Sequence, residues 1–204
     1  PIDLPDNYSV PIDAPEEAIH NFGELRNYAG VPKKGPVSDQ MAKTLIRGYY
    51  ASVSYTDAQI GRVLDELERS GLNENTIVVL WGDHGWNLGE HTLWAKHCTF
   101  ENSMRAPLIV RTPQTQTSPQ GQTTQALAEF VDIYPTLCEL AGIDSPDHLE
   151  GKSLAPVLKD PNSKGKGYAI GRFNNGDTIR SDRWRYTEYT SRESRGDGPT
   201  ISRM

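Results

Sequence analysis

Ile77, Val78, Val79 and Leu80 form an unbroken apolar run that stops at Trp81-Gly82-Asp83-His84-Gly85. Consecutive apolar residues without alternation suit a strand covered on both faces, the habit of parallel sheets. Strands of that kind present ligands beyond their carboxyl ends. Gly82 and Gly85 permit a tight backbone on either side of the Asp-His pair, so a carboxylate and an imidazole can converge on one divalent cation. The same residues also suit a plain turn in which Asp83 caps the backbone and His84 packs. Lys96, thirteen residues past Asp83, taken alone is a solvated surface charge.

The rest of the chain reads as the framework around that run. Residues 1–37 hold Pro1, Pro5, Pro11, Pro15, Pro32 and Pro36 with little apolar periodicity, which predicts an extended surface loop with at most a short helix near Glu16 to Leu25. Ser38 is a candidate N-cap for a long helix that carries Met41, Leu45, Tyr49, Ile60, Val63 and Leu67 at helical spacing and stops at Gly71. Its length invites a bend near Gly48, and its tyrosines are assigned to core packing rather than to substrate. Pro107 to Arg111 makes a second apolar strand, and Gln114 to Gln125 a polar surface loop. A helix capped by Asp132 ends at Gly142. The Asp/Pro/Asn/Ser/Lys/Gly composition of Lys159 to Gly167 marks a linker. Beyond it, Tyr168–Phe173, Thr178–Arg180 and Trp184–Tyr189 are hairpin strands, giving two units, 1–163 and 164–204. Arg172, Arg180, Arg183, Arg185, Arg192 and Arg195 are expected on a solvated, mixed-charge face.

Composition narrows the function. A net charge of −6 and pI near 5.4 give no sign of nucleic-acid binding. No run of apolar residues is long enough for a transmembrane helix. Cys98 and Cys138 make no disulfide framework and are expected as free or buried thiols.

Asp83-His84-Gly85-Trp86-Asn87-Leu88-Gly89-Glu90-His91, then Trp94-Ala95-Lys96, then Met104-Arg105-Ala106-Pro107-Leu108-Ile109-Val110 resemble the carboxyl-terminal half of a type I sulfatase, and within that family are most similar to the iduronate-2-sulfatase-like branch. Gly48 to Asp57 upstream, and Val131 to Leu137 and Gly151 to Leu154 downstream, extend the resemblance. It implies an α/β fold, the alkaline-phosphatase-like sandwich with a mainly parallel central sheet, plus a small antiparallel carboxyl-terminal subdomain. Such enzymes carry a formylglycine nucleophile, made from Cys or Ser in a Cys/Ser-x-Pro/Ala-x-Arg motif, after a strand with paired metal-binding aspartates. Cys98 is followed by Thr99-Phe100-Glu101-Asn102 and Cys138 by Glu139-Leu140-Ala141-Gly142, so neither stands in that motif. The nucleophile and the remaining ligands are expected from an amino-terminal half, in the same polypeptide or a second chain.

The resemblance further implies a sulfuric ester hydrolase acting on a sulfated sugar or polysaccharide, in a periplasmic, secreted or lysosomal setting. Asp83 and His84 would supply part of the metal shell, with calcium the family's usual ion, although calcium prefers oxygen to imidazole. Lys96 would lie against a sulfate oxygen or the bridging oxygen as the catalytic cation. His97 and Trp94 join Lys96 as expected substrate contacts, with Trp86 as a second candidate wall of the sugar pocket. His91, Glu90 and Arg105 are assigned structural roles. A phosphonate or phosphate monoester hydrolase of the same superfamily, and a non-catalytic fragment, are the alternatives.

Overall fold

The computed structural model describes residues 2–20, 23–113 and 121–190, and the backbone of 201–203. Ser38 caps the longest element, α1 (Asp39–Arg69), by accepting from the Met41 N–H at 3.3 Å, one of the donors that a helix start leaves unpaired. The helix runs as one element through Gly48, and Gly71, at φ 69°, follows its end. Only Ala42 and Ile46 are buried along its thirty-one residues. They meet Leu25, Val31, Val37, Leu93, Trp94 and Cys98 in the main core cluster. The short helix expected near Glu16 to Leu25 is replaced by single 3₁₀ turns at Glu16–Ala18 and Leu25–Asn27, and the latter delivers Leu25 to the core.

The strand read from Ile77 to Leu80 is β1 (Val78–Trp81), and here the expectation of parallel pairing is corrected. After β2 (Asn87–Leu88), β3 (Trp94–Ala95) and the short α2 (Glu101–Met104) comes β4 (Leu108–Arg111), and β1 pairs with β4 antiparallel, Val78 opposite Arg111 and Trp81 opposite Leu108. Nor is β1 covered on both faces: Leu80 is 37% and Trp81 50% exposed, and Ile109 of β4 is 58% exposed. An apolar run specifies that a strand can be buried, but not the direction of its neighbour.

Asp132, wholly buried, ties the following helix α3 (Ile133–Ala141) to the chain around it. Its Oδ2 accepts from Glu129 N–H, its Oδ1 accepts from Lys152 N–H, both at 2.8 Å, and Lys166 Nζ lies 2.8 Å from the same Oδ1. Lys166 also pairs with Glu129. The stretch expected as a linker is therefore stitched to the body by a buried charge cluster, and contacts cross residue 163. Burial alone would lower the Lys166 pKa, but the hydrogen bonds and charges of Asp132 and Glu129 raise it above the ordinary value.

After α4 (Ala155–Lys159), the strands β5 (Ala169–Phe173), β6 (Gly176–Arg180), β7 (Arg185–Thr190) and β8 (Ile201–Arg203) form the expected antiparallel sheet in the order β5-β6-β7-β8. It docks through side chains: Tyr189 Oη lies 2.8 Å from Thr99 Oγ1, and Arg185 Nη1 donates to Thr99 O at 3.3 Å. Arg172 pairs with Asp177 at 3.2 Å on an exposed face, as expected, whereas Arg180 and Arg185 turn inward onto Glu101. Arg192, Arg195 and part of the Gln114–Gln125 loop lie outside the described residues. Cys98 and Cys138 are free and buried. Among the described residues no helix is long and apolar enough to cross a membrane.

Candidate functional site

The loop beyond β1 is held by backbone. Gly82 N–H donates to Pro107 O at 3.0 Å and Gly85 N–H to Ser103 O at 2.8 Å. A Cβ at Gly85 would stand 1.9 Å from Asn102 O, so only glycine lets the loop close against α2. Within this frame Asp83 and His84 project side by side, His84 Nε2 lying 3.5 Å from Asp83 Oδ2. Nδ1–H of His84 donates to Gly85 O at 2.8 Å, which leaves Nε2 as the lone-pair nitrogen in the neutral ring. A carboxylate oxygen and an imidazole lone pair facing one another repel unless a proton or cation lies between them. Their separation matches two adjacent ligands of a cation bound at about 2.3–2.6 Å. The Asp83 side chain is 86% exposed and so remains open to further ligands. The pair fits a divalent cation, although among the described residues no third His, Cys, Asp or Glu completes a group.

Lys96 is presented by a strained turn. β2 and β3 pair antiparallel, Asn87 opposite Ala95, and the connection places His91, Thr92 and Ala95 at φ 57°, 65° and 63°. Non-glycine residues adopt such values rarely, and clusters of them mark constrained sites. Gly89, at φ 111°, has the Tyr8 ring where a Cβ would sit, 2.6 Å away. Asn87 braces the turn, its Nδ2 donating to Ala95 O at 2.9 Å and to Ser103 Oγ at 2.6 Å. Glu90 Oε2 accepts from Leu88 N–H at 2.6 Å, and His91 N–H donates to Asn7 O at 2.7 Å; both residues hold the loop.

The indole of Trp86 joins the two halves. His84 stacks on it with centroids 6.0 Å apart, Tyr49 of α1 stacks at 6.0 Å, and Lys96 Nζ lies 5.4 Å from its centroid. Tyr49 is thus a site neighbour, while Tyr50 and Tyr55 are exposed rather than packed in a core. Trp94 is corrected: at 4% exposure it belongs to the main core cluster and presents no face to a ligand. Its neighbours Leu93 and Ala95 are buried with it, so the whole of this short strand lies inside.

Glu24, which no motif marked, faces Lys96 and His97. Its Oε1 lies 3.1 Å from Lys96 Nζ, and its Oε2 lies 3.8 Å from His97 Nε2, too long for a hydrogen bond. That buried Oε2 has no hydrogen-bond partner among the described residues. His97 stacks nearly parallel on Phe173, with centroids 5.2 Å apart and 6° between planes, and its carbonyl accepts from His20 Nε2–H. Burial lowers the His20 pKa, with the neighbouring His97 adding to the effect and the hydrogen bond to the His97 carbonyl opposing it. His97 accordingly flanks Lys96, partly exposed, on the same edge.

The sulfatase family model matches residues 13–143, more than half of the chain. A sulfatase of Formosa agariphila is 39% identical over 148 residues, covering 72% of this chain and 29% of that protein. Iduronate 2-sulfatase of Mus musculus is 32% identical over 166 residues, covering 67% of this chain and 30% of that protein. A structure described as a complex with the substrate D-glucosamine-2-N,6-O-disulfate aligns with a TM-score of 0.69 at 28% identity, covering 80% of this chain and 34% of that one. The chain spans 29% and 30% of the lengths of the two curated relatives. With a family match over residues 13–143 and the alkaline-phosphatase-like α/β fold of its structural neighbours, the chain belongs to the sulfatase family.

Proposed function

We propose that this chain carries part of the active site of a sulfuric ester hydrolase acting on a sulfated sugar, with Asp83 and His84 as metal ligands and Lys96 as the cation for the sulfate. The observation that carries this reading is that one indole, Trp86, lies against both His84 and Lys96. A ligand-type residue and a lysine therefore both rest against one ring.

A sulfate ester gathers charge on its oxygens as the leaving group departs, so positioned cations stabilise the transition state. A divalent cation, calcium by family resemblance, would polarise the sulfate oxygens, and a formylglycine hydrate from the amino-terminal part of the protein would supply the nucleophile. Lys96 holds a sulfate oxygen or the bridging oxygen. Sulfate replaces Glu24 as its counter-charge. His97 lies beside Lys96 at the edge where the leaving alcohol emerges, and Trp86 supplies the flat apolar wall against which a sugar ring packs.

The test uses the full-length protein with an aryl sulfate and an aryl phosphonate side by side, and metal content by mass spectrometry. Asp83→Ala is expected to lose bound divalent metal and sulfatase activity together. Lys96→Ala is expected to keep the metal and lose turnover by roughly 10²-fold, as for removal of one charge-stabilising group. Full activity in either variant would remove these assignments, and faster phosphonate turnover would move the protein to the phosphonate hydrolases.

A further inference from the structure

At the edge of the Lys96 site one carboxylate stands between a permanent cation and a ring that can become one. Glu24 Oε1 lies 3.1 Å from Lys96 Nζ, and Glu24 Oε2 lies 3.8 Å from His97 Nε2. The first contact is an ion pair. The second exceeds a charge-assisted hydrogen bond by about 1 Å, and Oε2 is buried with no hydrogen-bond partner among the described residues. A buried carboxylate oxygen left unpaired is costly. Nor does the local backbone occupy this side chain: Glu24 precedes the turn Leu25–Asn27 without capping it.

The ring is the fixed member of the pair. His97 stacks on Phe173 of β5 with 6° between the planes, and its carbonyl accepts from His20 Nε2–H. The titratable and charged groups around it are Glu24, Lys96 and His20, while Phe173 brings no charge. His20 is not the group that answers Glu24. Its Nε2 is taken by the His97 carbonyl, and burial lowers its pKa, with the charge of His97 adding to the effect. The His97 side chain, 42% exposed, can exchange a proton with water.

Without an anion, Glu24 neutralises Lys96 and leaves Oε2 bare toward His97. With a sulfate group on Lys96, Glu24 loses its cation, and its side chain is only 24% exposed. An uncompensated carboxylate in that position is unfavourable. The His97 ring restores the balance once it is protonated and donates Nε2–H to Oε2. We propose that Glu24 is a positioning residue that hands its charge from Lys96 to His97 when a sulfate group arrives, so that anion binding draws a proton from solvent onto His97. This rests on the assignment of Lys96 to the sulfate. The proton comes from water and stays on the ring; no other covalent bond is made or broken. The coupling is reciprocal: protonation of His97 loosens Glu24 from Lys96, so sulfate affinity rises as pH falls through the range in which imidazole titrates.

The test is inorganic sulfate binding to the full-length protein, by calorimetry from about pH 8.5 down to about pH 5.5 and by proton uptake in unbuffered solution near neutrality. The unaltered protein should bind sulfate roughly three- to tenfold more tightly at the acid end, the scale of one partly exposed ion pair. It should also take up a fraction of a proton per sulfate bound. Glu24→Gln should hold the tighter affinity across the range and His97→Asn the weaker, both without uptake. Should Glu24→Gln fail to fold, His97→Asn decides. Sulfate binding that is lost in Lys96→Ala, yet is flat with pH and takes up no proton, would overturn the proposal and leave the Lys96 assignment standing. Uptake that persists in His97→Asn would overturn it by placing the proton on another group. Undiminished binding in Lys96→Ala, or no saturable binding to the unaltered protein, would remove the Lys96 assignment and the proposal with it.

Discussion

Glu24 holds the position that decides how Lys96 behaves. With its carboxylate 3.1 Å from Lys96 Nζ and the other oxygen buried without a hydrogen bond, it competes with any anion for that cation. Glu24→Gln keeps the shape and removes the charge. Inhibition by inorganic sulfate should then tighten roughly three- to tenfold, the value of one partly exposed ion pair. An inhibition constant equal to that of the unaltered protein would show that sulfate does not meet Lys96. Asp83 and His84 were visible as candidates because they lie in one loop whose glycines and apolar approach are local features, whereas Lys96 entered only through the family resemblance. Glu24 was not, since it stands seventy-two residues before Lys96 in a segment without periodicity. The roles of Trp86 and Trp94 were equally hidden. Trp94 is buried and Trp86 is not, and the turn between them carries positive φ at His91 and Thr92, a conformation that the residue types do not announce.

Elements were legible where periodicity or capping is local. Ser38, the length of α1 and the carboxyl-terminal hairpins follow from the sequence in this way. The partner of β1 was not legible, because strand direction is settled by contacts distant in sequence. The stretch around Lys166 has the composition of a linker, and within it Lys166 lies on the buried Asp132 and on Glu129. Lys166→Met should destabilise the protein by about 3–5 kcal/mol in urea unfolding, since it strands a buried carboxylate. The raised Lys166 pKa means that the folded state favours the protonated amine. Its contribution is therefore fully present below the unfolded value, about 10.4, and is lost as pH rises through the higher folded value. Unfolding measured from pH 9 to 12 should show this alkaline loss in the unaltered protein and not in Lys166→Met; parallel curves would place the linkage elsewhere.

At the scale of the whole molecule, the described residues leave large apolar side chains open. Part of the surface is apolar: Tyr50, Val53, Tyr55 and Val63 along α1, and Leu80, Trp81 and Ile109 on the β1–β4 pair, are each at least 37% exposed. Apolar faces of this kind mark surfaces that meet another body. For the 204-residue chain on its own, strong binding of an anilinonaphthalene sulfonate dye is expected, with near-ultraviolet circular dichroism retained. Dye binding no stronger than that of a typical folded monomer would mean that these faces are covered in solution. The sheet β5–β8 is anchored differently, by Tyr189 on Thr99 and Arg185 on Glu101. Its hold on the body combines these polar contacts with the stack of Phe173 on His97.

The placing of Trp86 gives the protein an optical sensor of its own. Of the four tryptophans, Trp94 is shut in the core, and Trp81 and Trp184 are 50% and 67% exposed. Trp86 is the one whose ring carries His84, Tyr49 and Lys96 around it. A ligand that draws Lys96 off the indole, or a cation that takes the His84 lone pair, alters the field on that ring. Its emission would shift in colour or yield without any label being attached, so occupancy could be followed in the intact protein on the timescale of mixing.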